Sequence, residues 1–84
     1  VTFNHLPYYA TIRLFNLAGI HTRTIIKEDE SQFVQWDLNN ESGLSVAGGL
    51  YFAHIEMRDV NNNNLGEKIL KLMIVPEDLS PIDQ

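Results

Sequence analysis

The run Leu50 to Arg58, Leu-Tyr-Phe-Ala-His-Ile-Glu-Met-Arg, constrains this chain most. Tyr51, Ala53, Ile55 and Met57 fall on one parity, and Phe52, His54, Glu56 and Arg58 on the other. Successive side chains of a strand point to opposite faces, so the run predicts a long strand with one apolar face. Ala10 to Leu17 repeats the pattern, with Ile12 and Leu14 on one face and Thr11 and Arg13 on the other. Gly19 follows, a residue that takes positive φ without a steric penalty, and His21 to Lys27 is β-branched enough to pair back as a hairpin.

The rest of the chain reads the same way. Val1 to Asn4 is a short strand, ended by Leu6-Pro7 because proline has no amide to donate. Gln32 to Leu38 is a strand with Val34, Trp36 and Leu38 facing inward. Asn39 to Gly49 is an irregular stretch rich in Gly, Asn and Ser, and Val60 to Asn64 is a hairpin tip built from asparagines. Gly66 to Val75 closes the sheet. Its apolar residues occupy both parities, which predicts a bulge or burial on both faces. The expected core is Ile12, Leu14, Val34, Trp36, Leu38, Tyr51, Ile55, Leu72 and Ile74. Six or seven strands at hairpin spacing predict an all-β antiparallel sandwich or barrel over residues 1–76, followed by an acidic flexible tail over 77–84.

Size and charge narrow the function. A chain of 84 residues forms one domain with one two-layer core and little room for an enclosed active site. Its formal charge of −5 repels phosphate, so nucleic acid is not an expected partner. No apolar run approaches the roughly 20 residues a membrane helix needs. The absence of cysteine leaves the compartment open. Val1 to Asn4 is neither a signal peptide nor an initiator segment and begins as though inside a strand, so the expectation is a piece of a longer chain.

Chemistry-bearing patterns are weak. No serine sits in a G-x-S-x-G elbow, and His5, His21 and His54 lack metal-ligand spacing. Asp59-x-Asn61-x-Asn63 copies the opening of a calcium loop, but Asn64 stands where the loop glycine belongs and Leu70 where the bidentate glutamate belongs. A polar hairpin tip is the better reading. Glu28-Asp29-Glu30 reads as a solvated acidic turn. Tyr8, Tyr9, Phe15 and Phe52 form a possible aromatic platform for a sugar or a partner protein. The expectation is a chain with no enzymatic activity, no cofactor and no metal.

Four blocks carry a resemblance. They are Phe3-x-x-Leu6-Pro7, then Ala10 to Gly19, then Trp36-Asp37-Leu38-x-Asn40-Glu41-Ser42-Gly43-Leu44-x-Val46-Ala47-x-Gly49-Leu50-Tyr51, and last Gly66-Glu67-Lys68 with Lys71-Leu72-x-Ile74. Together they resemble the immunoglobulin-like C-terminal domains of secreted bacterial proteins. Those are similar to the Ig-like domain of the flagellar hook-capping protein and to the C-terminal sorting domains of type IX secretion. The resemblance implies an Ig-like β-sandwich with the tryptophan filling a core that no disulfide staples. Asp37 is then expected to bond amides of the following loop, and Gly43 and Gly49 to let that loop reverse.

Members of this family normally carry a further strand before the Phe3 block. Its absence here predicts an open sheet edge, prone to dimerisation or strand addition. The function implied is a structural or protein-interaction module of a larger secreted or cell-surface protein, periplasmic in transit. Its partners would be the rest of the parent polypeptide or the secretion and cell-surface machinery. A type IX sorting signal is the first alternative and a carbohydrate-binding accessory module the second.

Overall fold

The structure, a computed structural model, describes residues 1–75; the acidic tail expected over 77–84 lies outside them. Six strands follow one another: β1 (Thr2–Phe3), β2 (Tyr9–Asn16), β3 (His21–Glu28), β4 (Val34–Gln35), β5 (Gly49–Arg58) and β6 (Asn64–Ile74). They form a four-stranded sheet of order β3-β2-β5-β6 and a two-stranded sheet β1-β4, with every pairing antiparallel. The described residues contain no helix.

Alternation sets the inner face of the large sheet. In register, Ile12 lies opposite Ile25 and Ile55, and Leu14 opposite Ala53. Ala10, Ile12, Leu14, Tyr51, Ala53 and Ile55 are all buried there. Phe3, Leu6 and Trp36 come down on them from the second layer, and Ile25, Val34, Leu38, Val46, Met57 and Leu72 pack around the margin. Fully burying a side chain of Ile or Leu size stabilises by about 1.5–3 kcal/mol, so this small cluster is the main source of stability. Of the expected core, Ile12, Leu14, Trp36, Tyr51, Ile55 and Ile74 are buried, and Val34, Leu38 and Leu72 are half-buried against it.

The indole of Trp36 is 2% exposed and meets Tyr51 edge-on, with ring centroids 5.8 Å apart. Its Nε1–H donates to the carbonyl of Asn39 at 2.9 Å, and the Tyr51 hydroxyl donates to the carbonyl of Ala47 at 2.7 Å. Both aromatics thus bury their rings without stranding their polar atoms.

Two expectations need correction. The segment Gln32 to Leu38 is not one strand; only Val34 and Gln35 pair, opposite Phe3 and Thr2. Beyond them the Trp36 amide still bonds Val1, but Leu38 takes φ 66° and the chain turns away. A two-residue partner strand cannot extend the ladder further. The second correction concerns β6. Its pairing with β5 is unbroken from Gly49 opposite Ile74 to Met57 opposite Gly66, so no bulge interrupts the apolar stretch. Nor is it buried on both faces: Leu65, Ile69, Leu70 and Met73 are exposed. Of β6, Leu72 and Ile74 at its C-terminal end join the core cluster.

Trp36→Ala should destabilise the chain by about 3–5 kcal/mol, as deletion of a large core aromatic does. Chemical denaturation monitored by far-UV circular dichroism measures this. A midpoint equal to the parent's would remove Trp36 from the core.

Candidate functional site

The face of the large sheet turned away from the core carries three of the four aromatic candidates. Tyr9 and Phe15 lie on this face of β2, and Phe52 on this face of β5. Phe15 stands directly opposite Phe52, whereas Tyr9 stands opposite Arg58. Tyr9 and Phe15 are six residues apart on one strand, ~20 Å. The four aromatics therefore do not gather into one platform. Phe15 and Phe52 make a cross-strand pair at one end, with His21 edge-on to Phe15 at 5.8 Å. Tyr8 and Tyr9 make a second pair at the other end, edge-on at 4.7 Å. All four are half-buried.

Between the two pairs the surface is charged. The Arg13 guanidinium bonds the Glu56 carboxylate, and His54 Nε2 lies 2.7 Å from Glu67 Oε1. The hydrogen bond from Arg13 holds the Glu56 carboxyl below its ordinary value.

The acidic turns bind their own backbone. Asp59 Oδ1 accepts the amides of Asn61 and Asn63, and Oδ2 accepts the Asn63 side-chain amide. Asn62 takes φ 68°, the left-handed conformation asparagine tolerates, which closes the tip. The spacing that opens a calcium loop thus serves here as an Asx turn. Asp29 Oδ1 accepts the amide and hydroxyl of Ser31. The three histidines have separate surroundings: His5 sits at φ 60°, His21 meets Thr24 Oγ1 at 2.7 Å, and His54 meets Glu67. Among the described residues, no three His, Cys, Asp or Glu side chains lie close enough together to hold a metal ion.

A depression of about 330 Å³ lies between the loop Asn16–Ala18 and the segment Ala47–Tyr51. Its lining is apolar side chains, backbone and one asparagine. The Tyr51 hydroxyl, its one titratable group, is directed at Ala47. No nucleophile–base pair faces this space.

Sequence reasoning missed the role of Lys27. It lies opposite Ala10 and so points into the core side of the sheet, where it is 4% exposed. Its ammonium donates to the carbonyls of Pro7 at 2.7 Å, Tyr8 at 3.1 Å and Asp29 at 2.6 Å, and lies 3.2 Å from the Asp29 carboxylate. Arg23 shares its parity. There Nη1 donates to Asp37 Oδ1 at 2.8 Å and to the Asn39 carbonyl at 3.0 Å. Two cations on the inner face of β3 thus tie the covering segments to the sheet. The signal was available: Arg23, Ile25 and Lys27 share one parity, so an inward Ile25 turns both cations inward.

The turn glycines and Asp37 sit where loop geometry needs them. Asp37 Oδ1 accepts the Asn39 amide at 3.0 Å. Gly43, at φ 83°, closes a tight reversal by donating its amide to Asn40. Gly19 does the same between β2 and β3, with its amide on the Asn16 carbonyl, and Gly49 opens β5 at φ 137°.

Lys27→Met keeps the stem and removes the buried ammonium that bridges the carbonyls of Pro7, Tyr8 and Asp29, so it should cost about 1–3 kcal/mol. Asp29→Ala, at an exposed ion pair, should cost less. Denaturant titration of both variants checks the ranking, and equal effects would contradict the carbonyl-cage reading.

Acid stability gives a second test. Asp29 is held below its ordinary value first by the Ser31 hydroxyl, Asp37 by the Asn39 amide, Glu56 by Arg13 and Asp59 by the Asn63 amide. Each is depressed on folding, so its contribution is present above the ordinary carboxylate range and is lost as pH falls through the folded values. The melting temperature should be level from neutral pH down to about 5 and fall below about 4. Asp59→Asn should flatten part of that fall; an acid limb of unchanged steepness would contradict this account.

Compared with protein-family models, with curated proteins and with solved structures, the chain matches none.

Proposed function

We propose that this chain is an immunoglobulin-like β-sandwich whose smaller sheet is reduced to β1 and β4. We further propose that it serves as a non-catalytic structural and protein-interaction module of a larger secreted or cell-surface bacterial protein. The observation that carries the reading is β6. It is the last strand of its sheet, and it exposes Leu65, Ile69, Leu70 and Met73. An exposed edge strand with apolar side chains is a template for pairing with another chain. The rest of the molecule supports the same view. Its interior is filled by side chains around Trp36, and its acidic turns bind their own amides.

The resemblance in the Phe3, Ala10–Gly19, Trp36–Tyr51 and Gly66–Ile74 blocks supports the secreted setting. A sorting signal and a spacer differ in what they do to a cargo. Fused behind an unrelated exported reporter in a type IX secreting host, the domain should leave the reporter in the periplasm. A reporter carried across the outer membrane would replace this reading with the sorting signal. Titration with a panel of polysaccharides should produce no saturable shift in Trp or Tyr fluorescence. A shift abolished by Tyr9→Ala would favour the carbohydrate-binding alternative.

A further inference from the structure

We infer that the partner of β6 is a second copy of the same chain, paired antiparallel about a two-fold axis at Ile69. This rests on the reading of the domain as an interaction module and names its partner.

The two edges of the large sheet are treated differently. On β3, Glu41 occupies the outer edge: its amide donates to the Thr22 carbonyl at 3.1 Å, and its carboxylate accepts the Thr24 amide at 2.7 Å. Among the described residues nothing pairs with the outer edge of β6. From Glu67 to Ile74 that strand is in regular register with β5 and contains no proline. It is therefore straight enough to accept another strand.

Charge placement selects the occupant. Glu67, Ile69 and Lys71 share the solvent face of β6, as their register with Glu56, His54 and Phe52 fixes. A two-fold axis perpendicular to the sheet keeps like faces together and sets each residue opposite a residue of the same parity. Centred on Ile69, the pairing puts Glu67 opposite Lys71 of the partner, twice, with Ile69 against Ile69 between them. On the other face Lys68 comes opposite Leu70. The neighbouring registers are worse. Centres at 67, 68 and 71 oppose Glu67, Lys68 or Lys71 to itself, and a centre at 70 sets Glu67 against Met73. Like charges directly opposite are unfavourable in a sheet and unlike charges favourable. Only one register of the five therefore satisfies both charges while covering Ile69, which is 68% exposed.

Glu67 and Lys71 are ~14 Å apart along their own strand, so they cannot pair within one chain. Glu67 instead meets His54 across the sheet. A charge exchange at both positions therefore reports on the intermolecular contact, because it cannot restore the bond to His54.

The chain has no cysteine, so single cysteines report register directly. In the proposed pairing the two Cα atoms of residue 69 are about 4.5–5.5 Å apart, inside the roughly 4.4–6.8 Å range a disulfide spans. Residue 73 of one copy lies ~27 Å from residue 73 of the other. The parent chain should dissociate on dilution in sedimentation velocity. Ile69→Cys should form a covalent dimer under mild oxidation, and Met73→Cys should not. Glu67→Lys and Lys71→Glu should each weaken dimerisation about tenfold, and the double exchange should restore it. Circular dichroism melts confirm that each variant is folded. A parent chain monomeric at its highest soluble concentration would overturn the proposal, as would cross-linking at 73 instead of 69 or a double exchange as weak as the single ones. A monomer that captures a different strand at β6 would overturn the self-pairing alone and leave the module reading standing. Cargo export by the reporter fusion would overturn the module reading without touching the cross-link.

Discussion

The carbonyl of Asn39 joins the apolar and polar parts of this structure. It accepts the indole Nε1–H of Trp36 at 2.9 Å and the Arg23 guanidinium at 3.0 Å. The acceptor is three residues beyond the tryptophan, so the chain must turn at once after Asp37. Leu38 takes φ 66° to allow that turn, and the Asp37 carboxylate holds it by accepting the Asn39 amide and the Arg23 guanidinium together. The indole is thus buried only when the turn is made, and the turn is held only when β3 presents Arg23. An unbonded indole N–H in this dry position would cost about 1–3 kcal/mol, so the hydrogen bond acts mainly by removing a penalty.

Past that turn the chain makes a small hairpin, with Asn40 bonding Leu44 and Val46 bonding Leu38. Its tip is held by Asn40 Oδ1, which accepts the amides of Ser42 and Leu44. From here Glu41 reaches the edge of β3. The loop therefore covers the core with Val46 and Leu38, supplies the acceptor for the Trp36 indole, and caps the Thr22–Thr24 part of one sheet edge. In a domain this small, irregular segments take over the work that a full second sheet would perform.

Where local pattern and burial agree, the sequence was informative. Tyr51, Ala53 and Ile55, and likewise Ile12 and Leu14, share a parity and lie buried on one face, because a sheet with one covered side enforces alternation. The Asp37 bond to the loop was legible from the resemblance, and the turns at Gly19 and Gly43 from residue chemistry. The extent of β4 was not legible. The inward run Val34, Trp36 and Leu38 reads as a strand, but Leu38 is held by the Asn39 turn and not by a ladder. Lys27 was passed over because a lysine is rarely buried, and its cage is made of carbonyls from Pro7, Tyr8 and Asp29, which leave no mark in the side-chain pattern. The aromatic platform failed for a metric reason. Four rings in one composition class say nothing about the six-residue separation that places them in two pairs.

The pattern of β6 has a physical reading that its burial alone does not supply. A strand with apolar residues on both parities is expected where both faces are covered, yet Ile69 and Met73 on one face and Leu70 on the other are open. Among the described residues, Leu72 and Ile74 at one end of β6 join the core, and Ile69, Leu70 and Met73 stay open. Neighbouring side chains on an added strand would cover both faces at once, which a packed helix or a third layer would not. Unpaired edges carrying apolar residues are a hazard that charged side chains restrain. On β6 the charges are Glu67, Lys68 and Lys71, and their order is not neutral with respect to partner. They penalise most self-registers by direct like-charge opposition and leave one in which every charge on the solvent face is matched. The same side chains that discourage indiscriminate strand addition therefore define a specific one.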